Sequence, residues 1–130
     1  MSSLITSNIS DGTTSVPTGY VVNGSAKAWV NFNGTGTVAA RDSFNMSSLT
    51  DNGTGDYTIS LSNNMGNGDY AFAGSACTTS PQGTIIWCMA NQVSDFTTSS
   101  IRVAVGYTNA SANARLDYEG PCVSIHGDLA

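Results

Sequence analysis

Ala26-Lys27-Ala28-Trp29-Val30-Asn31-Phe32-Asn33, followed by Gly34, decides the fold class of this 130-residue chain. Side chains alternate across an extended strand, so Ala28, Val30 and Phe32 share one face while Lys27, Trp29 and Asn31 share the other. Asn33-Gly34 then reads as a hairpin turn, because both residue types tolerate positive φ. Working outward, residues 37–41 read as the partner strand and residues 44–49 as another short extended piece. Asp51-Asn52-Gly53-Thr54-Gly55 is a second turn, and Tyr57, Ile59 and Leu61 alternate cleanly after it. Residues 63–68 form a third turn, and Tyr70-Ala71-Phe72-Ala73 opens the next strand. Thr84-Ile85-Ile86-Trp87-Cys88-Met89 is β-branched and apolar, which predicts a central strand. Residues 101–107 alternate again, and Cys122-Val123-Ser124-Ile125-His126 is the last strand.

Seven or eight short strands at regular spacing predict an all-β body, an antiparallel β-sandwich or jelly-roll-like domain. Pro17, Pro81 and Pro121 fall outside the strand interiors, as the ladder requires. No amphipathic helix of convincing length interrupts the pattern. Asn-Gly-Thr-Gly occurs at 33–36 and again at 52–55, but the flanking strands differ, so two hairpins share one turn solution. Residues 1–25 depart from the alternation. They are rich in Ser, Thr, Asn and Gly with isolated Leu4, Ile5, Ile9, Val16, Val21 and Val22, and cannot bury a core alone. The expected division is an extended N-terminal arm, 1–25, and a β domain, 26–130.

Composition narrows the function. Ser, Thr, Asn and Gly supply 59 residues, and only 10% of the chain is charged against about 25% in ordinary domains. With 40% hydrophobic residues the chain can still fold. Its polarity is that of hydroxyls and amides, suited to turns, outer strand faces and subunit contacts. The net charge is −5, with Lys27, Arg41, Arg102 and Arg115 the only basic residues, so nucleic acid is not an expected partner. Met1-Ser2-Ser3-Leu4-Ile5 has neither a basic region nor a long apolar run, so it does not read as a signal peptide. No apolar run approaches the ~20 residues of a membrane helix, and no membrane insertion is expected.

Catalysis is not expected. His126 is the only histidine and stands in a terminal strand. Asp128 is near it in sequence, but no Gly-x-Ser-x-Gly turn offers a nucleophile. The carboxylates Asp42, Asp51, Asp56, Asp69, Asp95, Asp117, Glu119 and Asp128 are scattered, whereas a glycosidase needs two facing each other. Asp51 and Asp56 could hold Ca²⁺ with nearby carbonyls, yet no EF-hand pattern is present. One histidine and three separated cysteines do not make a closed zinc site. No metal or cofactor is therefore expected. Cys77, Cys88 and Cys122 read as reduced thiols, with a Cys77–Cys88 bridge as the sharper alternative. The segment 75–98 places Thr79, Gln82, Asn91, Gln92 and Phe96 around one strand. Neutral amides and hydroxyls beside an aromatic ring suit a glycan, and loops on rigid sheets carry such functions.

The run Ala26-Lys27-Ala28-Trp29-Val30-Asn31-Phe32-Asn33-Gly34-Thr35-Gly36-Thr37-Val38, then Arg41-Asp42-Ser43-Phe44-Asn45, then Asp51-Asn52-Gly53-Thr54-Gly55-Asp56-Tyr57-Thr58, resembles a β-module of bacteriophage tail-fibre and related virion proteins, many of them marine. Val123-Ser124-Ile125-His126-Gly127-Asp128 resembles the closing strand of such modules. The resemblance covers residues 24–62 best and residues 75–120 least. It implies a virion structural protein without catalytic residues: a homotrimeric tail-fibre or receptor-binding tip module attaching to a host-surface glycan or protein. The alternative it leaves is a capsid-decorating or fibre-assembly protein that binds no receptor. Other virion proteins would engage residues 1–25. In such a trimer Trp29, Phe32 and Arg41 are the expected interface residues, because large aromatics anchor interfaces.

Overall fold

The computed structural model describes residues 2–79, 85–90 and 92–130. The elements are β1 (Asn8–Ser10), β2 (Ser15–Pro17), α1 (Thr18–Gly24), β3 (Ala28–Asn33), β4 (Ala39–Phe44), β5 (Met46–Gly53), β6 (Asp56–Leu61), β7 (Ala71–Ser75), β8 (Ile85–Met89), a 3-10 turn at Val93–Asp95, β9 (Ser100–Thr108), β10 (Asn113–Arg115) and β11 (Cys122–His126). Every strand pairing is antiparallel. One sheet runs β4-β3-β11-β7. A second runs β10-β9-β6-β5, with β8 also on β9, and β1-β2 form a separate two-stranded sheet.

Alternation builds the core as the sequence predicts. Ala28, Val30 and Phe32 of β3 and Val123 and Ile125 of β11 are buried from one sheet. Tyr57, Ile59 and Leu61 of β6 and Ile101, Val103 and Val105 of β9 are buried from the other, and all belong to one cluster. Phe32 meets Tyr57 edge-on across the two sheets, with ring centroids 5.0 Å apart. The Tyr57 hydroxyl lies 2.7 Å from Asp117 Oδ1 and 3.0 Å from the Gly34 carbonyl oxygen. Burial, then the Asp117 carboxylate, drive the Tyr57 hydroxyl far above the ordinary tyrosine range, so it stays a donor.

β4 and β5 are nearly continuous in sequence yet lie in different sheets. The corner is Asn45, whose φ of 56° puts it in the left-handed region that Asn tolerates better than most residues. Its side chain fixes the bend. Nδ2 donates to the Lys27 carbonyl at 3.0 Å, and Oδ1 accepts the Asn63 backbone N–H at 2.7 Å.

Three expectations change. Gly34 is not a positive-φ residue; in that turn Gly36 takes the role, at φ 60°. Gly34 is required for another reason: a Cβ there would stand 2.5 Å from the Tyr57 hydroxyl. The strand at 85–89 is not central. It pairs only with β9 among the described residues, and Ile85 is 71% exposed; Thr84 lies outside the described residues. The arm is not wholly extended. β1 and β2 pair as a small hairpin, and α1 follows directly on Pro17, whose fixed φ of −56° suits a helix start. None of the residues of α1 is buried.

Candidate interaction surface

The outer face of the β4-β3-β11-β7 sheet is ordered by register. Ala73, Ser124, Trp29 and Phe44 stand in one row across the four strands, and Ser75, Cys122, Asn31 and Asp42 in the next. Small residues on β7 and β11 beside one indole make a groove. Its volume is about 360 Å³, and Trp29, Asn31, Ala73, Ser75, Cys122 and Ser124 line it. Among the described residues no ionisable acid or base lines it apart from the Cys122 thiol, whose Sγ takes a hydrogen bond from Asn31 Nδ2 at 2.9 Å.

One end of this face is covered by the arm. Lys27 is buried, and its ammonium group donates to the Val22 carbonyl, to the Ser25 carbonyl at 2.9 Å and to Ser25 Oγ at 3.0 Å. A cation against the final carbonyls of α1 also complements the helix dipole. His126 Nδ1 lies 3.3 Å from the Gly24 carbonyl oxygen, and Nε2 lies 2.9 Å from Ser124 Oγ. The carbonyl can only accept, so Nδ1 carries the hydrogen in the neutral ring and the Ser124 hydroxyl donates to Nε2. The pairing of His126 with Asp128 considered from sequence is not made: the ring contacts Gly24 and Ser124. Lys27 and His126 therefore tie the arm to the body.

The arm itself leaves large apolar side chains uncovered. Leu4 is 87% and Ile5 94% exposed, and Tyr20, Val21 and Val22 are exposed on α1. The whole chain has 7600 Å² of accessible surface at 13.4 kDa, where the usual scaling for a folded monomer of that mass gives about 6,500 Å².

The residues singled out for an interface separate. Trp29 is 37% exposed and walls the groove. Phe32 is fully enclosed in the core against Tyr57, so it belongs to the body's interior and not to a subunit contact. The alternation that put it beside Ala28 and Val30 already implied this. Arg41 sits at a bulge between β3 and β4 and donates from Nη1 to the Phe32 carbonyl at 2.7 Å and Asn31 Oδ1 at 3.1 Å. It clamps its own hairpin and is not paired with Asp42, whose Oδ1 takes the Ser43 N–H.

Of the residues singled out for a ligand, those described have partners of their own. Thr79 donates to Glu119 Oε1 at 3.2 Å. Gln92 caps the 3-10 turn reciprocally with Asp95, and Phe96 packs against Tyr70 and Phe72, with centroids at 5.3 and 6.4 Å. Gln92 and Phe96 share a shallow depression of about 390 Å³ with Tyr70 and Val93. Gln82 and Asn91 lie outside the described residues.

Asp51 and Asp117 are both committed to hydrogen bonds, one within its own turn and the other across the fold. Asp51 takes the Gly53 N–H, and Asp117 takes the Gly55 N–H and the Tyr57 hydroxyl. Asp56 makes the ion pairs that sequence reading missed. Its carboxylate, almost fully enclosed, accepts two parallel bonds of 2.8 Å from Arg102 and a further bond from Arg115. The Arg102 guanidinium first, and Arg115 with it, hold the Asp56 carboxyl down at about 2. That occupancy also leaves no free oxygen for the Ca²⁺ considered with Asp51. Among the described residues no cluster of three or more His, Cys, Asp or Glu side chains could hold a metal ion. All three cysteines are free thiols, so the Cys77–Cys88 bridge is not formed. Burial pushes the Cys88 thiol up to about 12. No helix among the described residues is long and apolar enough to cross a membrane.

No family model matches this chain, no curated protein matches it, and no solved structure matches it.

Proposed function

We propose that this chain is a bacteriophage virion structural protein, a tail-fibre module that works as a homotrimer and attaches through residues 1–25. The single observation behind this reading is the arm. It is hydrogen-bonded to the body through Lys27 and His126, yet it presents Leu4, Ile5, Tyr20, Val21 and Val22 to solvent. Uncovered apolar side chains of that number in one segment suit a contact with neighbouring chains. The resemblance of residues 24–62 to tail-fibre modules supplies the setting. In this reading the two-sheet body is a sandwich, with β11 returning beside β3, and a jelly-roll-like label rests on that return alone.

The second reading, a capsid-decorating or fibre-assembly protein that binds no receptor, is favoured by one feature. Phe96 is packed and Thr79 is tied to Glu119, so segment 75–98 offers no gathered glycan site among its described residues. Light scattering at micromolar concentration is expected to give three times the 13.4 kDa chain mass, falling to one chain mass when residues 2–25 are removed. A full-length chain that stays monomeric overturns the assembly. Cryo-electron microscopy of the particle then distinguishes a fibre position from a capsid position.

A further inference from the structure

The structure contains two uncovered features of matching chemistry. Residues 2–6 form no strand or helix, carry no charge and hold Leu4 and Ile5 almost wholly in water. The groove beside Trp29 is floored by Ala73, Ser75, Cys122 and Ser124 and has no acidic or basic side chain in its lining. We propose that the groove of each copy receives residues 2–5 of a neighbouring copy, so that the arm is exchanged between subunits.

Charge and size both fit. An uncharged, apolar segment loses little polar solvation on entering a groove without charges, whereas a charged peptide would leave ions unpaired there. The groove volume of about 360 Å³ lies in the range of small binding clefts, roughly 300–1,000 Å³. Reach fits as well. The arm is pinned where Thr18 donates from its N–H to the Ser7 carbonyl and from Oγ1 to the Thr6 carbonyl, both at 2.9 Å, which leaves residues 2–5 to extend over about 14 Å. Each chain carries one tail and one groove, and such head-to-tail contacts close into a ring when the rotation permits. Trp29 then serves as the wall against which a neighbour's tail packs, which gives it the intersubunit role expected from sequence.

The inference rests on the assembly proposed above, and one experiment separates the two. Cys122 is a native thiol on the groove floor, so Leu4→Cys places a second thiol where the tail should lie. In a Cys77→Ser background, mild oxidation by dioxygen with copper-phenanthroline removes two electrons and two protons from the facing thiols and joins them. The expected result is a ladder of covalent dimers and trimers on non-reducing gels, abolished by Cys122→Ser. Intact-mass peptide mapping should join residue 4 to residue 122 of another chain, shown by mixing heavy- and light-isotope protein. Leu4→Asp with Ile5→Asp should drop the solution mass to one chain while circular dichroism stays unchanged. An oligomer that forms with no 4–122 link, or with links only inside single chains, overturns the exchange and leaves the assembly standing. A full-length chain that is monomeric overturns both.

Discussion

Replacing Asp56 by Asn tests whether the buried carboxylate is the electrostatic anchor of the β6–β9–β10 junction. In the native protein Arg102 and Arg115 lower its carboxyl from 3.8 to about 2. A shift of that size corresponds to roughly 2.4 kcal/mol in favour of the ionised folded form. The carboxylate is only 8% exposed, but the Arg102 and Arg115 side chains are 49% and 39% exposed, so solvent screens the pair. Allowing for that screening, the expected loss for Asp56→Asn at pH 7 is about 1–2 kcal/mol. With a urea slope near 1.5 kcal/mol/M, the midpoint should fall by about 1 M. The sign with pH is fixed by the direction of the shift. A carboxyl whose pKa is depressed by folding contributes in full above about pH 4 and loses its contribution as pH falls toward 2. Urea unfolding of both proteins from pH 7 to pH 2 should therefore show two stability curves that converge below pH 4. One molar salt should narrow the gap at pH 7 only partly, because the carboxylate itself is enclosed. A gap that stays constant down to pH 2, or no gap at pH 7, would refute the assignment of the stabilisation to ionised Asp56.

Two further outcomes follow from burial. Phe32→Ala should cost about 3–5 kcal/mol in urea unfolding of the full-length chain, because it empties the contact with Tyr57; a variant that unfolds like the parent but loses self-association would return Phe32 to an interface. Cys77 is exposed and Cys88 is buried with its thiol pushed up to about 12, so at pH 8 an aromatic disulfide reagent should label Cys77 rapidly and Cys88 only after denaturation. Equal rates in the native protein would show that the β8 edge opens freely.

The body was legible in sequence and the site was not, and the difference is one of range. Alternation is a property of consecutive residues, so Ala28, Val30 and Phe32, or Tyr57, Ile59 and Leu61, announce their buried face without knowledge of any partner. The strand at 85–89 is apolar and β-branched, yet it lies at an edge. Ile85 and Met89 instead project from an edge into solvent, and an apolar run does not say which strands flank it. Asn33-Gly34 misled because glycine has two uses. Its freedom at positive φ is local, but its lack of a Cβ matters only when Tyr57, 23 residues on, folds back over it. The Asp56 anchor depends on register in the same way. Arg102 and Arg115 stand 46 and 59 residues from Asp56, and only the pairing of β6 with β9 brings the first within reach. A weak signal did exist: Arg102 lies between Ile101 and Val103, on the outward side of an alternating strand, where a lone cation on a nearly uncharged chain calls for a partner. The groove needed three strands from residues 28–33, 71–75 and 122–126 to meet. Sequence identified its wall, Trp29, but its floor is made of Ala73, Ser75, Cys122 and Ser124, small residues whose meaning comes from being neighbours. The arm was legible in composition as a segment without a core. Its attachment was not, because Lys27 and His126 act on backbone carbonyls of α1, and any sequence supplies carbonyls. What selects them is the short helix after Pro17, whose unpaired final carbonyls turn a cation and an imidazole on the sheet into the two fixings of the arm.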